Sequence, residues 1–445
     1  MSLVEIVRDA GIVGCGGAGF PTHIKYNTKA DVFIINGVEC EPLLESDKYL
    51  LRTYAPLIAK TADVIREALG APRCIIAVKK TYLEEIKAVN AAIGEYAGKL
   101  ELALLDSYYP AGDEHAVVCE VTGKQVPPGG LPLDVGAVVS NVATVYAVSL
   151  ALEGKPLTDR ILTVTGEVAH PVILRVPVGT TFEDCIRQAG GVRCGAFNVI
   201  CGGPMMGCFI KGADVPQETV RKTTSGIIVV KDDGELSHRQ EESMGSIRLK
   251  AASACTQCSY CTSLCPRYLL GSPIEMHKIM RAYAHCTDME KLLDCKEIRN
   301  AAYCCECALC TVFSCPMGLQ PSKVSAMFRR ELAKNRIRAE KITPVQRFGE
   351  REYRKVPTGR ILQRLGLSQY LEKRPETCTS YEPDVVRISL SQGAGVPSLP
   401  AVEIGTGVQR GDKIACCPEG ALGSDVHASI TGTVTEINDF ITIAK

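Results

Sequence analysis

In the first third of the chain, apolar residues fall into short solid runs separated by longer stretches with apolar positions at helical spacing. VFII at 32–35, CIIAV at 74–78 and LELALL at 100–105 have strand length, whereas 55–70 and 82–97 carry the three-to-four-residue apolar period of helices. Leu3, Ile6 and Val7 mark a further helical face near the start. This alternation predicts an α/β domain over residues 1–155, with polar groups delivered at the carboxyl ends of its strands. A helix is expected to begin near Pro42. From about Leu162 the pattern changes to strand-like alternation, with two strands meeting at His170-Pro171, a helix at 181–189 and a strand at 226–230. Residues 160–232 are thus expected to form a small β-rich unit in which the GGPMMG segment, 202–207, is a structural turn at a domain boundary.

Residues 231–250 read as a charged linker and 274–298 as helices, with His277 and His285 in packing or surface positions. The stretch 321–375 is helical and basic, and Arg329, Arg330, Arg336 and Arg338 form either a solvated face or a docking patch for an acidic redox partner. Short β-runs punctuated by Gly and Pro from Val385 predict a barrel-sandwich of the biotinyl/lipoyl type. No lysine lies between Lys413 and Lys445, so the attachment point of a carrier domain is missing. The expected boundaries are 1–155, 160–232, a helical domain at 245–340, a helical linker at 341–384 and the barrel at 385–445.

The 445 residues, 46% of them hydrophobic, are enough for several buried cores. Fifty basic and fifty acidic residues cancel, which removes any global field favouring nucleic acid or a membrane surface. No run of eighteen apolar residues occurs, and the amino terminus lacks the features of a signal peptide. Twenty-two cysteines, most without paired spacing, fit a reducing, cytoplasmic compartment.

Eight of those cysteines carry the strongest chemical signal. CTQCSYCTSLCP at 255–266 is answered by CECALCTVFSCP at 305–316, and with Cys304 as the first ligand both halves read CxxCxxC followed by a distant CP. This spacing is that of bacterial ferredoxins, in which the distant cysteine ligates the other cluster. Cys255, Cys258 and Cys261 with Cys315 are therefore assigned to one [4Fe–4S] cluster, and Cys304, Cys307 and Cys310 with Cys265 to a second. Paired zinc sites are the competing reading, but they have no use for a third evenly spaced cysteine.

Gly14, Gly16, Gly17 and Gly19 form a loop whose backbone amides can approach an anionic ligand closely. An ordinary dinucleotide-binding site with Glu39 as the ribose acid competes, but the residues before Gly14 read as a helix rather than a strand. Further polar nodes follow at Asn36, Glu39 and Glu41, at Tyr109, Gly112, Asp113 and Glu114, and at Asn141 and Thr144.

In combination, GCGGAGFPTHIK, NGVECEP, YPAGDE and SNVATV resemble the flavin subunit of respiratory NADH dehydrogenase and the related RnfC-type subunits of Rnf electron-transport complexes. The module order is similar to that of the cobalamin reductases of propanediol-utilisation microcompartments. This resemblance implies a multi-domain α/β fold: a flavin-binding α/β domain, a β-grasp domain, a two-cluster ferredoxin-like helical domain and a carboxyl-terminal barrel-sandwich hybrid. It implies FMN held by Gly14, Gly16, Gly17, Gly19 and Lys25, with Asn36, Glu39, Asp113, Glu114, Asn141 and Thr144 lining flavin and nicotinamide, and Phe20 and Glu41 toward NADH. Glu41 and Glu114 are then the candidate catalytic acids. Two positions depart from the respiratory pattern: Val38 replaces an acid and Cys15 an arginine.

The expected function is NADH oxidation through FMN and two [4Fe–4S] clusters, with cobalamin reduced for a diol dehydratase, in the cytoplasm or a microcompartment lumen. The alternative is an adaptor feeding a protein acceptor such as a corrinoid adenosyltransferase, reductase, ferredoxin or membrane complex. A cluster-bearing structural module without activity is the third.

Overall fold

The computed structural model describes residues 1–345 and 348–445. Its first module is built on a four-stranded parallel sheet in the order β3-β2-β1-β4, formed by β1 (Val32–Asn36), β2 (Arg73–Lys79), β3 (Leu100–Leu105) and β4 (Ala137–Asn141). The solid apolar runs lie in this sheet because both of its faces are covered. Phe33, Ile35 and Ile76 bury toward one core, and Ile34, Ile75 and Val139 toward another. Each such side chain contributes about 1.5–3 kcal/mol of burial.

Before β1 the chain forms α1 (Leu3–Asp9), a glycine-rich loop and the single turn α2 (Thr22–Tyr26). The loop is a closed hairpin: Gly14 N donates to Phe20 O at 2.9 Å and Thr22 N to Ile12 O at 3.1 Å. A helix, not a strand, therefore precedes the glycines, as their sequence context predicts. The helix expected near Pro42 begins later, as α3 (Ser46–Thr53), because Leu43 takes a left-handed φ of 74° that interrupts any earlier turn. Then come α4 (Ala55–Ala68), α5 (Leu83–Ile93), α6 (Glu114–Thr122) and α7 (Val142–Leu152).

The second module is a six-stranded sheet in which β5 (Asp159–Gly166) and β6 (Val172–Pro177) pair antiparallel across the His170-Pro171 turn. α8 (Phe182–Gln188), β7 (Phe197–Cys201), β8 (Cys208–Lys211) and β9 (Gly226–Lys231) follow. Its edge strand, β10 (Cys378–Ser380), comes from the segment expected to be a helical linker and pairs parallel with β6.

The segment 231–250 is not a linker either. It carries α9 (Glu235–Glu241) and α10 (Met244–Ala254), with Ile247 and Ala251, one helical turn apart, buried against the cluster module. The remaining helices of that module include Met276–His285, Met289–Asp294 and Pro321–Lys334. The last module is a sandwich of a four-stranded and a three-stranded sheet closed over Val386, Ile388, Ile414, Val434 and Ile441.

This barrel folds back onto the beginning of the chain. Ala394 N donates to Gly19 O at 3.1 Å, and Lys222, wholly buried, donates through Nζ to Gly11 O at 2.7 Å and Asp425 O at 2.6 Å. Gly19 has a φ of +70°, and a Cβ there would sit 2.6 Å from Gly393 Cα, so glycine is required on both counts. Both ends of the glycine loop are thus held by later modules.

Candidate functional site

The two cysteine motifs share one backbone. Gln257 and Ser259 have φ of 55° and 61°, and Glu306 and Ala308 have φ of 56° and 57°. These pairs stand two and four residues after Cys255 and Cys304, so the repeat is in register only if Cys304, and not Cys305, leads the second motif. A non-glycine residue in the left-handed region costs about 1–3 kcal/mol, and four at matched positions mark a functional turn. Alternating hands of this kind turn successive N–H groups inward and make an anion-binding nest.

Cys255, Cys258, Cys261 and Cys315 ring one cavity. Burial, then the neighbouring Cys315, Cys255 and Cys258, push the Cys261 thiol up to about 12. Cys310 is pushed up likewise, by burial and then by Cys304, Cys265 and Cys261. Thiols that repel one another when ionised need a cationic core between them. Four thiols round one cavity, with the repeated ferredoxin-type turn, fit a multi-iron core.

In the first module, the glycine loop leaves Gly16, Gly17 and Ala18 exposed, and a Cβ on Gly17 would meet nothing within 4 Å. Gly14 and Gly19 belong to the closed base of the loop. Phe20 is exposed beside it. Lys25 reaches Glu114 Oε1 at 3.1 Å and Val139 O at 2.9 Å.

Several of the expected site residues also hold the frame. Asn36 donates to Gly112 O and accepts from Val38 N, fixing the YPAGDE loop. Asn141 caps α7 through Ala143 N at 2.8 Å and donates to Asp47 Oδ2 at 2.6 Å. Thr144 Oγ1 accepts from Cys15 N at 2.9 Å, tying the loop to α7. Asp113 caps α6 and pairs with Arg267 of the cluster module at 2.8 Å, with both side chains nearly buried.

Glu39 and Glu41 are half-buried, with the Glu41 Oε1 atom out of solvent. Glu39 accepts from Glu41 N at 2.8 Å; burial raises its pKa, and the Asp47 carboxylate raises it further. Burial pushes Glu41 up to about 7 against hydrogen bonds from the Met205 and Met206 backbone. Met205 N donates to Glu41 Oε2 at 2.9 Å, so the GGPMMG turn lies at the domain junction and grips the acid. The other oxygen, Glu41 Oε1, is buried without a hydrogen-bond partner. An open glycine cradle and an orphaned carboxylate oxygen on the same module fit a bound flavin.

Sequence reasoning left out of the site Asp47, Lys79, Arg160, Lys222 and Arg267. Burial lowers the Lys79 pKa while Cys40 and Glu39 oppose it. Arg160 donates to Cys15 O and to Thr224 O at 3.1 Å. A strand ending in lysine, as β2 does, was the one local signal for Lys79.

Glu41 gives a pH prediction. Its folded-state pKa lies above the ordinary 4.5, so the folded chain binds more protons than the unfolded one between those values. Its contribution to stability is complete below about 4.5 and is lost as pH rises through about 7. Thermal unfolding of the flavin-free protein across that range is expected to decline for the wild type and more shallowly for Glu41→Gln; identical slopes would contradict the burial of this acid.

Family comparisons follow the same division of the chain. The Nuo51 FMN-binding domain matches residues 7–150, the SLBB domain 161–209, the 4Fe-4S dicluster domain 254–320 and the RnfC barrel sandwich hybrid domain 372–445. Together with the paired nests they define an electron-transferring oxidoreductase with an FMN-binding domain and an iron–sulfur dicluster domain. The chain is 38% identical over 439 residues to the cobalamin reductase PduS of Citrobacter freundii, covering 98% of this chain and 94% of that one. It is 36% identical over the same shares to the cobalamin reductase PduS of Salmonella typhimurium. It therefore belongs to the PduS cobalamin reductase family. It is also 34% identical, over 66% of this chain and 62% of the other, to a subunit of the proton-translocating ferredoxin:NAD(+) oxidoreductase complex of Clostridium ljungdahlii. Among the described residues no helix is long and apolar enough to cross a membrane.

Proposed function

We propose that the protein oxidises NADH and reduces the cobalt of cobalamin one electron at a time. The observation that carries this reading is the direct junction between the two redox-type modules, where the Tyr109 hydroxyl donates to Cys307 O at 2.7 Å and Asp113 pairs with Arg267. FMN, when bound, supplies the conversion between a two-electron hydride donor and one-electron acceptors.

The chain's own residues prepare the site for that chemistry. Gly16, Gly17 and Ala18 offer backbone to the phosphate, and Lys25 is the nearby cation. Glu41, held in place by Met205 N, keeps its Oε1 unpartnered and so free to engage the reductant. Glu39, kept protonated by burial, lowers the negative charge facing an anionic ligand. Glu114 sits at the Lys25 ammonium as the second candidate acid. The eight cysteines Cys255, Cys258, Cys261, Cys265, Cys304, Cys307, Cys310 and Cys315 supply two thiolate sets.

The similarity to the PduS cobalamin reductases over nearly their whole length supports cobalamin as acceptor, and the module order, similar to that of the microcompartment enzymes, favours a cytoplasmic, microcompartment-associated setting. The similarity to a component of the ferredoxin:NAD(+) oxidoreductase complex supports the second reading, an NADH-fed adaptor for a protein acceptor. An anaerobic assay of the purified holoprotein with NADH and cob(III)alamin separates them. Appearance of the cob(II)alamin spectrum without added protein supports the first reading; reduction only when a protein acceptor is present supports the second; absence of NADH oxidation with either sinks both.

A further inference from the structure

The two cysteine sets differ in their surroundings. Cys265, Cys307 and Cys310 are buried, and Cys307 and Leu309 share a hydrophobic core with Leu43, Leu44 and Tyr109 of the nucleotide-binding module. The Tyr109 hydroxyl bonds the Cys307 carbonyl, immediately before the left-handed Ala308 that shapes the nest. Arg267, two residues beyond Cys265, pairs with Asp113. Cys255, Cys261 and Cys315 pack into a core made of residues from 244 to 337, which Cys265, Cys304 and Cys310 also join, so Cys307 is the ligand through which the second set reaches the nucleotide-binding module. Cys258 is exposed, with Tyr260 and Met317 exposed beside it. The two sets meet where Cys261 and Cys310 are near enough to influence each other electrostatically.

We propose that these sets play unequal parts: Cys265, Cys304, Cys307 and Cys310 form the inner seat that receives electrons from the nucleotide-binding module, with Tyr109 as its positioning residue, and Cys255, Cys258, Cys261 and Cys315 form the outer seat from which they leave. The assignment rests on the NADH-oxidising reading above. One NADH becoming NAD+ releases two electrons and a proton. Each electron crosses the inner and then the outer seat singly, and two one-electron acceptors are reduced. Tyr109 acts by fixing the Cys307 peptide, whose orientation sets the N–H dipoles facing the inner cluster and hence its potential.

The test uses the full chain, reconstituted anaerobically, as Cys258→Ala and Cys307→Ala. NADH is expected to bleach the flavin band in both, and to give a reduced-cluster EPR signal in Cys258→Ala but none in Cys307→Ala. A signal in Cys307→Ala, or none in Cys258→Ala while the flavin bleaches, overturns the order. Flavin that fails to bleach in either variant and in the wild type defeats the NADH reading instead. The roles of the seats are then decided by chemical reduction. With dithionite and redox mediators, Tyr109→Phe is expected to shift the midpoint potential of the cluster retained in Cys258→Ala and to leave that of the cluster retained in Cys307→Ala unchanged. The reverse, or equal shifts, overturns the proposal. Should Cys307→Ala not accumulate, Tyr109→Phe in the otherwise intact chain decides the same point, because only the EPR signal that survives in Cys258→Ala should move.

Discussion

Gly17→Val is expected to yield a folded, iron-loaded protein that has lost its flavin. A Cβ at this position meets nothing within 4 Å, and Gly17 is absent from the positive-φ glycines, so the chain itself accepts a branched side chain there. The added methyls would stand where a phosphate must come against bare backbone. Even one sterically lost contact of about 1.4 kcal/mol weakens binding tenfold, and full exclusion removes far more. Flavin absorbance per chain after gel filtration is expected to fall at least about tenfold, with iron content and the unfolding temperature of the flavin-free form unchanged. Gly16 is no substitute for this test, because a Cβ there would collide with Asn141 at 2.7 Å and disturb the cap of α7. Wild-type flavin content in Gly17→Val would remove the glycine loop from the cofactor site.

Loss of the Asp113 carboxylate is expected to have the largest effect on stability. Its partner Arg267 is nearly buried, and the Arg267 Nε already lacks a hydrogen-bond partner. Removing one member of a buried ion pair strands the other charge, at a cost of about 3–5 kcal/mol. Asp113 also caps α6, and loss of a cap costs about 1 kcal/mol more. Asn caps as well as Asp, so Asp113→Asn isolates the ion pair, whereas Asp113→Ala loses both. Denaturant unfolding followed by flavin fluorescence and by cluster absorbance is expected to show the two signals lost together in the wild type and separately in both variants, with the Ala variant weaker. A wild-type profile for Asp113→Asn would mean that the ion pair is dispensable and that apolar packing and the Tyr109–Cys307 hydrogen bond hold the two modules together.

The parts of this molecule written in local pattern were legible in the sequence. Solid runs such as VFII at 32–35 are strands because both faces of the sheet are covered and its interior is filled mainly by apolar side chains. The cysteine repeat was legible because two turns with the same left-handed positions need the same spacing. Misreadings arose where composition masked periodicity: α9 and α10 look like a charged linker because their few core-facing residues, Ile247 and Ala251 among them, are outnumbered by exposed polar ones. The edge strand Cys378–Ser380 is too short to leave a period at all. The joints between modules were illegible for a different reason. Tyr109 and Cys307 are 198 residues apart, Asp113 and Arg267 154, and Gly11 and Lys222 211, and no window along the chain contains both partners. Likewise Glu39 and Glu41 could be placed at the end of a strand, but the enclosure of the Glu41 carboxylate depends on the GGPMMG turn, which arrives some 160 residues later.

The barrel's grip on Gly19 has a consequence for biogenesis. The glycine hairpin leaves the ribosome well before Gln392 and Ala394, which brace Lys222 and Gly19. A growing polypeptide thus carries an unbraced hairpin until the barrel has been made. A chain cut short before the barrel would lack that brace, so the loop meets its nucleotide in the braced form only after the barrel has been made.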